Sequence, residues 1–264
     1  MREFSETYLR RTREGMWDDS RVPLEPLDLE TRERVLDVGC GTGELSRVLA
    51  SECSGEVIGS DVDRRLLSVA GEHVPVVAGD AFQLPFPDDC FDLVVCQALL
   101  INLPEPAAAL AEFARVSSEL VAAVEPNNAA VDVDSSVDAE NDLERRARAA
   151  YLEGIETDVA LGSDAREAFE AAGIDVLETR QYDHVRTVEP PYSEHSLTAA
   201  RRKATGAGLA DDRETMLSGE MTEAEYDDLR SEWRQMGRTV IDQMEDGEYR
   251  RTEAVPFFVT VGRA

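Results

Sequence analysis

The nine residues Val35-Leu36-Asp37-Val38-Gly39-Cys40-Gly41-Thr42-Gly43 carry the strongest chemical signal in the chain. An apolar run leads into alternate glycines, and a helical pattern follows. Glycine there permits torsions that a Cβ would forbid, and it lets main-chain amides come close to a ligand. A dinucleotide fingerprint needs glycines at its first, third and sixth positions. Counted from Gly39 the sixth position is Glu44, and counted from Gly41 it is Ser46, so that fingerprint is missing. The acid just before the turn, Asp37, would repel a pyrophosphate and suits a cationic ammonium.

Two further acids follow strand-like runs. Asp61, in Gly59-Ser60-Asp61-Val62-Asp63, lies 18 residues after Gly43. A carboxylate accepts two hydrogen bonds and suits a vicinal diol, and this is close to the spacing at which such an acid meets a ribose. Asp63 is expected to cap a helix beginning at Arg64. Asp80, in Gly79-Asp80-Ala81, precedes Leu84-Pro85-Phe86. An acid beside an apolar wall can accept from an exocyclic amine while the ring stacks.

From about Arg32 to Val124, and less specifically beyond, the chain resembles the class I (Rossmann-like) S-adenosylmethionine-dependent methyltransferases, small-molecule type. The resemblance implies that Asp37, Gly39, Cys40, Gly41 and Gly43 hold the methionine part of the cofactor. It gives Asp61 the ribose hydroxyls, Val62 the adenine face, Asp80 the adenine amine and Ala81 the ring. Gln97, opening Gln97-Ala98-Leu99-Leu100, falls where such enzymes face the transferred methyl. The Asn/Asp-Pro-Pro-aromatic signature of DNA and RNA amino-methyltransferases is missing there. Glu189-Pro190-Pro191-Tyr192 resembles it but follows the sixth expected strand, where a rigid turn is the reading. Ser117-Ser118-Glu119 stands where many relatives carry Pro-Gly-Gly.

Methyl transfer from a sulfonium is a collinear displacement, so a dedicated base is optional. If one is used, the candidates are His184, His195, Tyr192, Tyr182 and Glu125. At the amino terminus Tyr8, Arg13 and Trp17 form a candidate lid, with a plain surface helix as the alternative. The three histidines show no metal-ligand spacing, and no metal is expected.

These residues need a frame to hold them. Short apolar runs at 35–38, 57–60, 74–77, 91–96 and 120–124 alternate with helical patterns at 44–51, 64–72 and 107–116. Apolar runs without polar alternation suit strands covered on both faces. Helices are expected at 141–153 and 164–172, a sixth strand within 174–188, a long helical stretch over 196–244 and a last strand at 254–261. The expected fold is α/β: a doubly wound, mostly parallel, seven-stranded sheet with helices on both faces and a helical insertion before the last strand. The expected organisation is a lid segment at 1–31, a core of 32–193 and 250–264, and a cap at 194–249. Within the cap Tyr226, Leu229, Trp233, Met236, Val240 and Met244 share one helical stripe. The stripe either packs on its own domain, forms a homodimer seam through 222–246, or closes a lid.

Composition narrows the partners. There are 55 acidic and 27 basic residues, a net charge of -28, and Lys203 is the only lysine. Such a surface repels itself in dilute buffer but is screened at molar salt, where the Debye length is about 3 Å. A halophilic cytoplasmic protein is therefore expected, and an electrostatic grip on nucleic acid is disfavoured. No stretch of 18 apolar residues occurs, so no membrane span is expected. The four cysteines lack paired spacing and suggest neither a metal site nor disulfides. Three functional classes remain: methylation of a small molecule, methylation of protein or RNA, and a non-catalytic cofactor-binding module.

Overall fold

The computed structural model describes Met16, Trp17 and residues 20–264. The proposed lid residues Tyr8 and Arg13 lie outside the described residues. The chain divides into two compact units. The first holds residues up to Asn127, Ala160–Tyr182 and Pro256–Ala264, and the second holds Asn128–Val159 and Asp183–Val255.

The first unit is built on β1 (Arg34–Val38), β2 (Glu56–Asp61), β3 (Val76–Ala78), β4 (Phe91–Gln97) and β5 (Ser117–Pro126). These pair in parallel in the order β3-β2-β1-β4-β5. The last strand, β8 (Arg251–Arg263), joins antiparallel to β5, with Leu120 opposite Arg263 and Val124 opposite Val259. β7 (Asp175–Val188) also pairs with β8. Helices α1 (Glu44–Glu52), α2 (Arg64–Ala70) and α3 (Pro106–Val116) pack on this frame, as does α5 (Ala165–Ala171), which follows α4 (Asp138–Glu153) in the chain. Leu36, Val38, Val94 and Cys96 from the central strands are buried with Leu110 and Phe113 of α3 and Phe169 of α5. Strands covered by helices cannot afford polar alternation, which explains their unbroken apolar runs. The fold is α/β and Rossmann-like.

The sheet pairings involve eight strands rather than the expected seven. The addition is β6 (Asp132–Ser135), which pairs antiparallel with the second-unit end of β8, Asp132 opposite Ala254. Its sequence, Asp-Val-Asp-Ser, carries one apolar residue and gives little strand signal.

The second unit is mostly helical. It contains α4 (Asp138–Glu153), α6 (Glu194–Thr205), α7 (Ala207–Asp211), α8 (Arg213–Ser218) and α9 (Glu223–Glu245). The expected long helical stretch consists of four helices, the first ending at Gly206 in a left-handed cap. Thr222 and Glu225 form a reciprocal capping box that starts α9. Tyr226, Leu229, Trp233, Met236, Val240 and Met244 are buried against residues of α4, α6 and α8. The stripe is therefore packed within its own unit.

The unit boundaries also differ from the expected cap. Residues 128–159 belong with the helical unit, because α4 contributes Leu143, Ala147 and Ala150 to its core. The lone lysine is explained there. Lys203 of α6 reaches Glu140 and Glu144 of α4, the latter at 2.8 Å, and lies over the Trp233 ring. Arg251 approaches the same two carboxylates, and the Tyr249 hydroxyl donates to Glu140 at 3.0 Å. A compact ammonium can sit among two acids and an aromatic face where a planar guanidinium would need more room.

Candidate functional site

Parallel register brings the carboxyl ends of β1 to β4 side by side. Val38 lies opposite Ser60 and Cys96, and Asp61 opposite Ala78. The strand order reverses between β1 and β4, the place where open α/β sheets leave a crevice for ligands. Every residue of the glycine turn, Asp61, Val62, Asp80, Ala81 and Gln97 emerges along this edge.

The turn itself is fixed by its neighbour strand. The amides of Gly39 and Cys40 both donate to the Ser60 carbonyl, at 2.7 and 3.0 Å, and Gly43 donates to the Cys40 carbonyl at 2.8 Å. Gly39, Gly41 and Gly43 all have positive φ, of 67°, 55° and 83°. Asp37 is buried just before the turn, and Ser46 of α1 donates its hydroxyl to it. Cys40 is buried against Gly59 of β2, whose missing side chain leaves room for the sulfur.

Asp61 accepts the Gly41 amide at 2.9 Å through Oδ2 and the Asp63 amide at 2.8 Å through Oδ1. A carboxylate offers about four acceptor positions, so two remain for a diol. Beside it Val62 is 55% exposed, an apolar side chain held at the mouth of the crevice. Asp63 caps α2 by accepting the Arg65 amide, and the Arg65 guanidinium holds its carboxyl below the usual range.

Asp80 lies next along the edge, since Gly79 donates to the Asp61 carbonyl at 3.1 Å. Its carboxylate accepts the Phe82 amide at 3.0 Å and remains exposed. Ala81, Phe82 and Phe86 pack on the core beside it. This wall is pinned from α3: Glu112 accepts the Leu84 amide at 2.7 Å, and Arg115 donates to the carbonyls of Leu84 and Phe86 at 3.2 and 3.0 Å. The Arg115 guanidinium in turn holds the Glu112 carboxyl below its ordinary value.

Gln97, at the end of β4, is buried. Its amide oxygen accepts from the Trp17 indole at 3.4 Å, and its amide nitrogen lies 2.9 Å from the Met16 sulfur. Trp17 stacks on Tyr182 at 5.8 Å, and the Tyr182 hydroxyl donates to the Met16 carbonyl at 2.8 Å. Met16 and Trp17 are thus buried at the crevice end of β4.

Glu125, at the end of β5, turns its carboxylate onto the amides of Leu99, Leu100 and Ile101. A carboxylate holding three main-chain donors is an anchor rather than a base. His184, His195 and Tyr192 belong to the second unit. There His184 is buried in β7, His195 is exposed on α6, and the Tyr192 hydroxyl donates to the Tyr249 carbonyl at 3.0 Å. Among the described residues no group of His, Cys, Asp and Glu is arranged to hold a metal, and no helix is long and apolar enough to cross a membrane. None of the four cysteines forms a disulfide.

Residues 36–119 match the Methyltransferase domain family. That span runs from β1 into β5 and contains all of the crevice residues just described except Met16, Trp17, Tyr182 and Glu125. Over 95 residues the chain is 41% identical to 2-phytyl-1,4-naphtoquinone methyltransferase of Synechococcus elongatus, covering 32% of this chain and 41% of that protein. Over 108 residues it is 34% identical to demethylmenaquinone methyltransferase of Bacillus licheniformis, covering 38% and 46%. The chain therefore spans less than half the length of these relatives. Among solved structures, a protein of Bacillus halodurans superposes with a TM-score of 0.52 at 19% identity, covering 91% of this chain and 97% of that one. The cyclase SpnF superposes at 0.50 and 19% identity, covering 99% and 83%. These likenesses show the fold. That one neighbour is named a cyclase illustrates why the reaction must be argued from the site.

Proposed function

We propose that the methyltransferase domain binds S-adenosylmethionine along the carboxyl ends of β1 to β4 and transfers its methyl group to a small-molecule acceptor. One observation carries this reading: a glycine turn without the dinucleotide spacing, a ribose-type acid with spare acceptor capacity and an exposed apolar side chain converge at the switch point. Asp37 and the turn Gly39–Gly43 would face the methionine part, Asp61 the ribose diol, Val62 and Ala81 the adenine ring, and Asp80 its amine. Gln97 would face the reacting end, with Trp17 closing over it.

The cofactor supplies an electrophilic methyl carbon on a sulfonium. The acceptor atom forms its bond to that carbon as the carbon–sulfur bond breaks, and the electron pair goes to sulfur. The chain contributes alignment of the two and exclusion of water. A small-molecule acceptor is supported by the quinone names of the relatives and by the acidic surface, which disfavours nucleic acid. The same surface supports the reading of a protein adapted to a salty cytoplasm.

Calorimetric titration in molar potassium chloride tests the proposal. S-adenosylhomocysteine should bind at micromolar level and NADH should not, and Asp61→Ala should weaken binding by about tenfold or more through loss of a charged hydrogen-bond acceptor. A folded protein that ignores S-adenosylhomocysteine would overturn it.

A further inference from the structure

The segment after β4 reverses sharply in the middle of the proposed site, and something must hold it there. Ala98 still donates to the Val124 carbonyl at 2.9 Å, continuing the β4–β5 ladder, yet its φ is +49°. A non-glycine residue in that region costs about 1 kcal/mol or more and persists only where its surroundings impose it. The next residues form a short 3-10 turn, Leu100–Asn102. Such a turn leaves its first amides without partners inside the turn.

Glu125 supplies them. Its side chain is fully buried, and Oε1 accepts the amides of Leu99 and Leu100 at 3.1 and 2.9 Å while Oε2 accepts that of Ile101 at 3.3 Å. Burying a carboxylate is costly unless hydrogen bonds compensate it, so a neutral apolar residue would be the economical choice if this were ordinary core. The charge makes sense as a clamp, because hydrogen bonds to an ionised acceptor are stronger than neutral ones. What the clamp fixes lies against the cofactor turn: the Leu99 side chain occupies the space beside Gly39, within 2.8 Å of where a Cβ on that glycine would stand. The Asn102 side chain ties back to the Ala98 carbonyl at 2.9 Å and closes the loop.

We infer that Glu125 is a positioning residue for the methyl-transfer site, acting through the main chain of Leu99–Ile101 to set the wall that separates the glycine turn from the acceptor. It does not touch the reacting atoms. This rests on the cofactor assignment made above, but the clamp can be read out separately from it.

The test is Glu125→Gln, which keeps the shape but presents an amide N–H₂ to main-chain donors. Hydrogen exchange followed by mass spectrometry should show faster exchange over 99–101 with the strands β4 and β5 still protected. S-adenosylhomocysteine affinity should fall about tenfold, as expected for loss of charge-assisted bonds. A role limited to general stability would instead raise exchange throughout and leave the affinity of the folded fraction intact. Leu99→Ala removes the wall while keeping the clamp, and it should lower affinity with the 99–101 amides still protected. Should Glu125→Gln fail to fold, Leu99→Ala decides. Unchanged affinity in Leu99→Ala, or unchanged exchange over 99–101 in Glu125→Gln, would overturn the inference. Absence of binding by the unsubstituted chain would instead remove the cofactor assignment, with the exchange result still reporting on the clamp.

Discussion

Gly43 and Gly173 have nearly the same backbone torsion, φ of +83° and +81°, and quite different surroundings. A Cβ on Gly43 would stand 3.1 Å from the Ala70 Cβ and 3.2 Å from its Cα, a methyl and a main-chain atom of α2 that have no rotamer by which to swing aside. A Cβ on Gly173 would meet nothing within 4 Å. Gly173→Ala should therefore cost only the torsional strain, about 1 kcal/mol. Gly43→Ala should cost that and a further 1–3 kcal/mol, roughly, for overpacking, and it should weaken S-adenosylhomocysteine binding because the turn shifts with α1. Paired thermal melts and titrations read both effects; equal losses in the two variants would mean that the turn is not held against α2 as described. At this scale the sequence is informative where a residue type has few physical uses. Three glycines at alternate positions after an apolar run have one economical use, as do acids directly after short strands. Glu125 was less legible: ending an apolar strand with an acid suggests a base as readily as an anchor. Its partners lie 24 to 26 residues away, and only the packed β4–β5 pair brings them together.

Elements were legible in proportion to how local their cause is. The core strands were readable because burial on both faces writes itself as unbroken Val, Leu and Ala, whereas β6 is short, polar and defined by its partner β8. The break of the long helical stretch at Gly206 carried a signal, but periodicity alone could not say that α4 joins α6 and α9. That association rests on a shared apolar core and includes an ionic cluster around Lys203. Burial pushes the Glu144 carboxyl up, yet Lys203 and Arg251 outweigh it and leave its pKa below the ordinary 4.5. A depressed carboxylate contributes stability that is present above the unfolded value and lost as pH falls through the folded one. Thermal melts of the second unit's helices should therefore weaken below about pH 4.5, and Glu144→Gln should flatten that acid limb. Lys203→Met, which leaves Glu140 and Glu144 with one cation fewer, should destabilise by about 3–5 kcal/mol at neutral pH. An acid limb of the same slope in Glu144→Gln would place the titration on other carboxylates.

Across the whole molecule, charge is the dominant property that no single site explains. The net charge of -28 is spread over the chain, and α9 alone carries Glu223, Glu225, Asp227, Asp228, Glu232, Asp242 and Glu245. Arginine pairs such as Arg146–Glu232 and Arg213–Glu223 offset part of it, but they lie at the surface, where each contributes about 0–1 kcal/mol. Unscreened repulsion among the remaining acids should set stability in dilute buffer, and salt should relieve it as the Debye length shrinks from about 30 Å at 0.01 M to about 3 Å at 1 M. The melting temperature should therefore climb steeply between those concentrations of potassium chloride. Salting-out of apolar surface would produce a rise too, so the charge term needs its own control. Asp228→Asn combined with Glu245→Gln, both exposed on α9, should raise the melting temperature at low salt and leave it unchanged at molar salt, because only the repulsive term is removed. A gain of equal size at both salt concentrations would assign the effect to helix propensity or packing, and would mean that repulsion among these surface acids is not what salt relieves.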